Sequence, residues 1–181
     1  MYFEKSGRIN TESTISLALK TAEERGIADI VAASNTGETA LLLSGFNGNL
    51  VCVTHADGFA KPGENELPPD MRLKLTEAGF RVLTTAHVLS GAERGLSKRF
   101  GGVYPVEIIA NTLRMLGQGV KVCVEISVMA LDAGLIPYGR PVIAIGGSGR
   151  GADTAVILTP AYASNIMDAK IHEVLCKPFN P

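Results

Sequence analysis

The sequence contains no tryptophan, and aromatic residues fill only 6% of its 181 positions. Ring-on-ring recognition therefore has few side chains to draw on. Cysteine is also scarce: Cys52, Cys123 and Cys176 lie far apart and form no C-x-x-C or Cys/His cluster. That excludes a disulfide-stapled fold and leaves reduced thiols in a cytoplasmic protein as the expectation. No charge dominates, because 17 Lys plus Arg stand against 18 Asp plus Glu for a net charge of -1. A nucleic-acid partner would need a basic excess, so none is expected. No membrane contact is expected either. The most apolar stretch, residues 120–136, is broken by Lys121, Glu125 and Asp132 and falls short of the roughly 20 mainly apolar residues that a spanning helix needs. The opening Met1-Tyr2-Phe3-Glu4-Lys5 lacks the basic-then-apolar layout of a secretory signal.

What is present is a 46% apolar chain without internal repeats or low-complexity tracts, enough to bury a core as a single domain over residues 1–181. Apolar residues at helical spacing predict a helix over residues 10–26, ended by Gly26. A short apolar run at 27–33 reads as a strand buried on both faces. A short helix at 38–43, a strand at 50–54, a helix at 70–78 and a strand at 80–85 continue the alternation. Residues 57–70 are polar, carry three prolines and read as a surface loop. Residues 104–116 form an amphipathic helix, and 141–145 and 155–158 are β-branched strands around a glycine-rich turn. Residues 120–128 alternate like a strand, yet Val120, Val124, Val128 and Leu131 also share one helix stripe, and Gly134 is a good helical stop. A helix is expected there. The βα alternation predicts a three-layer α/β/α fold around a largely parallel sheet.

In such sheets ligands sit off the carboxyl ends of the strands, where strand order reverses. After the first strand of the alternation come Ser34, Asn35, Thr36, Gly37, Glu38 and Thr39, hydroxyl and amide side chains around a glycine at a helix start. Backbone N–H groups there suit a phosphate, and Gly37→Asp would be expected to block its approach. The same residues also fit an ordinary capped βα turn. After the fourth strand, Gly147, Ser148, Gly149, Arg150, Asp153 and Thr154 belong to a glycine-rich loop where backbone can approach a ligand and Arg150 offers a planar fork. A plain hairpin turn is the alternative. Thr54 and His55 follow the second strand and His87 the third, so two of the chain's three histidines sit at equivalent rim positions, as ligand contacts or as structural donors. Their spacing is no zinc signature, and no metal is expected. Residues 90–102 form a basic, glycine-bounded stretch that is either a lid with Arg94 drawn to an anion or a solvated helical turn. No nucleophile is visibly paired with a base, so catalysis is left open and no catalytic residue is named.

The two loops, with residues 30–40, 128–134 and 141–154, resemble the C-terminal α/β domain of pyruvate kinase. Residues 87–102 and 117–121 are similar to the stand-alone pyruvate kinase C-terminal-domain-like proteins of archaea and some bacteria. That resemblance implies a mixed five-stranded sheet in the order 3-2-1-4-5 with the last strand antiparallel, and a ligand between strands one and four. It also implies no pyruvate kinase activity, since a catalytic barrel needs about 250 residues. In the kinase the first loop grips a phosphate of a sugar bisphosphate, and Ser34, Thr36, Gly37 and Thr39 match it. Glu38 stands where the kinase commonly has a basic residue, which favours a monophosphate with an uncharged body. Flavin mononucleotide (FMN) is the ligand the stand-alone proteins imply. The resulting expectation is binding of a phosphorylated small molecule at the carboxyl edge of the sheet. A flavin-dependent oxidoreductase and an effector-binding module without catalysis are the alternatives, and a homo-oligomer is left open.

Overall fold

The computed structural model describes residues 1–180. Its elements are β1 (Tyr2–Phe3), α1 (Thr11–Arg25), β2 (Asp29–Ala33), α2 (Glu38–Leu41), β3 (Asn49–Val53), α3 (Pro69–Glu77), β4 (Phe80–Leu83), α4 (Gly91–Phe100), α5 (Pro105–Arg114), α6 (Gln118–Asp132), β5 (Val142–Gly146), β6 (Thr154–Thr159) and β7 (Lys170–Pro178). Short 3₁₀ turns at Arg8–Asn10 and Ala163–Asp168 precede α1 and β7.

The fold is α/β with a mixed sheet. That sheet has seven strands in the order β1-β7-β6-β5-β2-β3-β4, which corrects the expected five strands and their order. The five expected strands form the contiguous stretch from β4 to β6, and the sheet continues past them through β7 and β1. β4, β3, β2 and β5 are mutually parallel, whereas β6 runs antiparallel to both β5 and β7. The reversed strand is thus interior and is not the last. β7 carries no clear strand signal in the sequence, and register shifts between Ala155 and Val156 and between Ile157 and Leu158 interrupt its pairing with β6. A bulge breaks the period-two alternation by which a strand is read. β1 has two residues, too few to carry any pattern.

Alternation along the parallel strands divides the core between two faces. Ile30, Cys52, Ile143 and Ile145 pack with Ile15 and Ala18 of α1, Ala40 of α2 and Leu75 of α3. Val31, Val51, Val53, Val142 and Ala144 pack beneath Val120, Cys123, Val124 and Leu131 of α6. Residues 120–128 are therefore helical. α6 is buried almost all round, and a helix covered on every side shows no polar stripe to betray its period. Two of its three charges pair with each other: the Lys121 ammonium donates to Glu125 across one turn. Cys52, Cys123 and Cys176 are free and buried, and burial pushes the Cys52 thiol up to about 12. No helix among the described residues is long and apolar enough to cross a membrane.

Candidate functional site

Four parallel strands end on one edge, and the segments that leave them enclose a cleft of about 1440 Å³. Ser34, Asn35, Thr36, Glu38 and Thr39 form one wall, and Gly147, Ser148, Gly149 and Arg150 form another. Thr54, His55, His87 and Arg94 complete the set of expected residues that line it. The strand order explains the meeting: β2 and β5 are neighbours, so the loops that follow them face each other across one opening.

The first loop keeps donors uncommitted. Ser34 N–H donates to Val53 O at 3.0 Å, holding the loop against β3, while no hydrogen bond among the described residues engages the amides of Asn35, Thr36 or Glu38. In the second loop the Ser148 hydroxyl is buried without a partner. Buried polar groups nearly always find partners in the protein, in water or in a ligand.

Three expected residues do not line the cleft. Gly37 is buried with φ +87°, and a Cβ there would run into Met71, Leu67 and Leu75. Packing against α3 and backbone conformation both require glycine there, so a Gly37→Asp effect would include a structural part. Asp153 is fully buried. Its carboxylate accepts Gly7 N–H at 2.8 Å, Ser148 N–H at 3.2 Å and the Thr154 hydroxyl at 2.8 Å. That makes it a brace behind the loop. Thr154 is buried too, wedged against Gly119, where a Cβ would have no room.

His55 Nδ1 bonds Glu66 Oε2 at 2.6 Å. Its ring lies tilted against Phe59 at 3.8 Å between centroids, and His87 stands 5.5 Å from both. Phe59 and Glu66 belong to the loop between β3 and α3, so the polar surface loop doubles as a wall of the cleft. Burial pushes His87 below its ordinary value of 6.5, with His55 and Lys121 adding to the effect against Glu125 and a backbone bond to Thr54. Its imidazole is neutral at pH 7. Thr54 is committed to structure, its hydroxyl bonded to that of Thr84 at 2.7 Å.

Sequence reasoning missed Lys121 and Glu125, which line the cleft. Burial lowers Lys121, and Glu125 opposes that shift, while Glu125 also accepts Leu89 N–H at 3.0 Å. The signal was there: two opposite charges four residues apart in an otherwise apolar run. Arg8 and Arg114 are further cleft residues without a motif. Residues 90–102 hold the helix α4, of which Arg94 reaches the cleft and Lys98 and Arg99 do not. Glu93 caps the next helix by accepting Val106 N–H at 2.9 Å. No group of three or more His, Cys, Asp or Glu among the described residues could hold a metal ion.

A crystal structure of Cryptosporidium parvum pyruvate kinase matches 75% of this chain and 20% of its own at 18% identity, with a TM-score of 0.39. The same kinase in complex with ADP matches 81% of this chain and 22% of its own at 16% identity, with a TM-score of 0.40. The chain thus spans about a fifth of the length of these kinases. The family model described as "Pyruvate kinase, alpha/beta domain" matches residues 12–158, and the chain belongs to that family.

Proposed function

We propose that the cleft binds a phosphorylated small molecule, with FMN the candidate, and that the β2–α2 and β5–β6 loops hold its phosphate. The observation that supports the reading is that Asn35, Thr36 and Glu38, whose amides have no hydrogen-bond partner among the described residues, line the same opening as the glycine-rich loop. A phosphate supplies the acceptors that such donors need. Room is ample, since 1440 Å³ exceeds the roughly 300–1,000 Å³ typical of small-ligand pockets. The far side of the cleft supports FMN as the candidate, because Phe59 there is 48% exposed beside His55 and His87. A bound flavin would supply hydride and single-electron transfer. The chain's own contribution would be to seat the phosphate, stack against a ring and present a neutral His87 as a hydrogen-bonding group.

The test is an absorption spectrum of the purified protein, mass spectrometry of whatever denaturation releases, and calorimetric titration with FMN and with inorganic phosphate. A flavin spectrum, or binding of FMN competed by phosphate, is the expected result. A colourless protein that binds neither probe would overturn the reading.

The second reading is a flavin-dependent oxidoreductase in the cytoplasm, favoured by the His55–Glu66 bond at 2.6 Å beside the open part of the cleft. A carboxylate on Nδ1 fixes the ring and leaves Nε2 to face a substrate.

A further inference from the structure

Glu38 poses an electrostatic problem for the reading above, because a carboxylate in a phosphate loop repels its ligand. The structure places a counter-charge against it from a distant part of the chain. Arg8, in the 3₁₀ turn before α1, directs its guanidinium to Glu38 with Nη2 and Oε2 3.4 Å apart. Both residues line the cleft.

The segment that carries Arg8 is fixed to the glycine-rich loop at several points. Gly7 N–H and Ser148 N–H share one oxygen of Asp153. Thr11 Oγ1 accepts Ala152 N–H at 3.0 Å. Gly151, with φ +78°, lies so close to Arg8 and Thr11 that a Cβ would clash with both. The backbone of Arg8 is thus held where the two loops meet, and its side chain remains 75% exposed against 62% for Glu38. Exposed pairs of this kind contribute little and exchange readily. A guanidinium prefers a phosphate's paired oxygens to a single solvated carboxylate contact.

We propose that Arg8 is the phosphate-selecting residue of the cleft, so that the site is built from two pieces distant in sequence: the residue 7–11 segment and the β2–α2 loop. It takes a dianionic phosphomonoester, whose oxygens displace Glu38 from the guanidinium. The assignment rests on the phosphate reading given above. Arg8 lies outside residues 12–158, so it is an element of this chain beyond the part that matches its family.

The experiment is calorimetric titration of the full chain with inorganic phosphate and with FMN, for wild type, Arg8→Ala, Arg8→Lys and Glu38→Gln, with thermal melts as a folding control. Arg8→Ala should weaken both probes by about tenfold or more, as expected for a lost charge-assisted bond, at an unchanged melting temperature. Arg8→Lys should recover part of the loss, and Glu38→Gln should tighten binding by removing the competitor. Wild-type binding of either probe with an undiminished Arg8→Ala affinity would overturn the assignment and leave the phosphate site standing. Failure of both probes to bind wild type would overturn both.

Discussion

His55 Nδ1 and Glu66 Oε2, 2.6 Å apart, latch the loop between β3 and α3 to the strand end beneath it. The two side chains are 28% and 32% exposed, so the bond is partly solvated and its net worth is below about 1 kcal/mol. Glu66→Gln should therefore leave the melting temperature nearly unchanged. Amide exchange at Gly58 and Leu67, which bond within that loop, should quicken severalfold as it loosens. Unaltered exchange there would show that packing of Phe59 alone holds the loop.

The neutral His87 makes stability depend on pH in a defined direction. Its folded-state affinity for a proton is depressed below the ordinary value of 6.5, so below that pH the unfolded chain binds more protons than the folded one. Stability is fully present above 6.5 and is lost as pH falls toward the folded-state value. Denaturant unfolding above and below pH 6.5 should show this loss, and His87→Asn should reduce it. An identical slope in the variant would assign the pH effect to other groups.

Lys121 and Glu125 are 5% and 4% exposed. Lys121→Met alone strands a buried carboxylate and should cost roughly 3–5 kcal/mol. Adding Glu125→Leu should restore much of this but not all, because Leu89 N–H loses its acceptor. Chemical denaturation of the single and double variants checks the order. A double variant less stable than the single one would mean that the bond to Leu89 outweighs the ion pair.

Gly37→Ala meets both a left-handed φ of +87° and the side chains of Met71, Leu67 and Leu75. A stability loss of about 1–3 kcal/mol is expected, with any loss of phosphate affinity following from displacement of α2. Calorimetry alongside thermal melts separates the two: weakened binding at an unchanged melting temperature would return Gly37 to the ligand's path.

Much of the parallel half of the sheet is legible in the chain because β2, β3 and β5 are buried on both faces, which writes them as plain apolar runs. The loops that follow them are legible for a related reason, since glycine and hydroxyl residues directly after such a run mark a strand end facing an opening. The far half is not. β7 exposes Lys170, Ile171, His172 and Glu173 before turning inward at Leu175 and Cys176, so neither alternation nor a continuous run appears. Within the cleft, Arg8 and Lys121 were invisible for opposite reasons. Arg8 sits in a featureless segment whose position depends on contacts some 140 residues away. Lys121 looked like an interruption in a core helix, and only the packing shows that its end of α6 opens on the cleft. Asp153 and Thr154 were legible as loop residues but not as supports, because a buried carboxylate and an exposed one read alike in sequence.

The pairing of β1 with β7, Tyr2 opposite Lys177 and Phe3 opposite Pro178, bears on when the molecule becomes competent during synthesis. A nascent chain can build the β2–β3–β4 layer soon after those residues leave the ribosome, yet the segment bearing Arg8 stays untethered on its outer side until β7 emerges. Contacts so distant in sequence form late because a very long loop must close first. An arrested or prematurely terminated chain lacking β7 would keep most of its parallel sheet and the bond from Gly7 to Asp153 while leaving β1, just upstream of Arg8, without its partner strand.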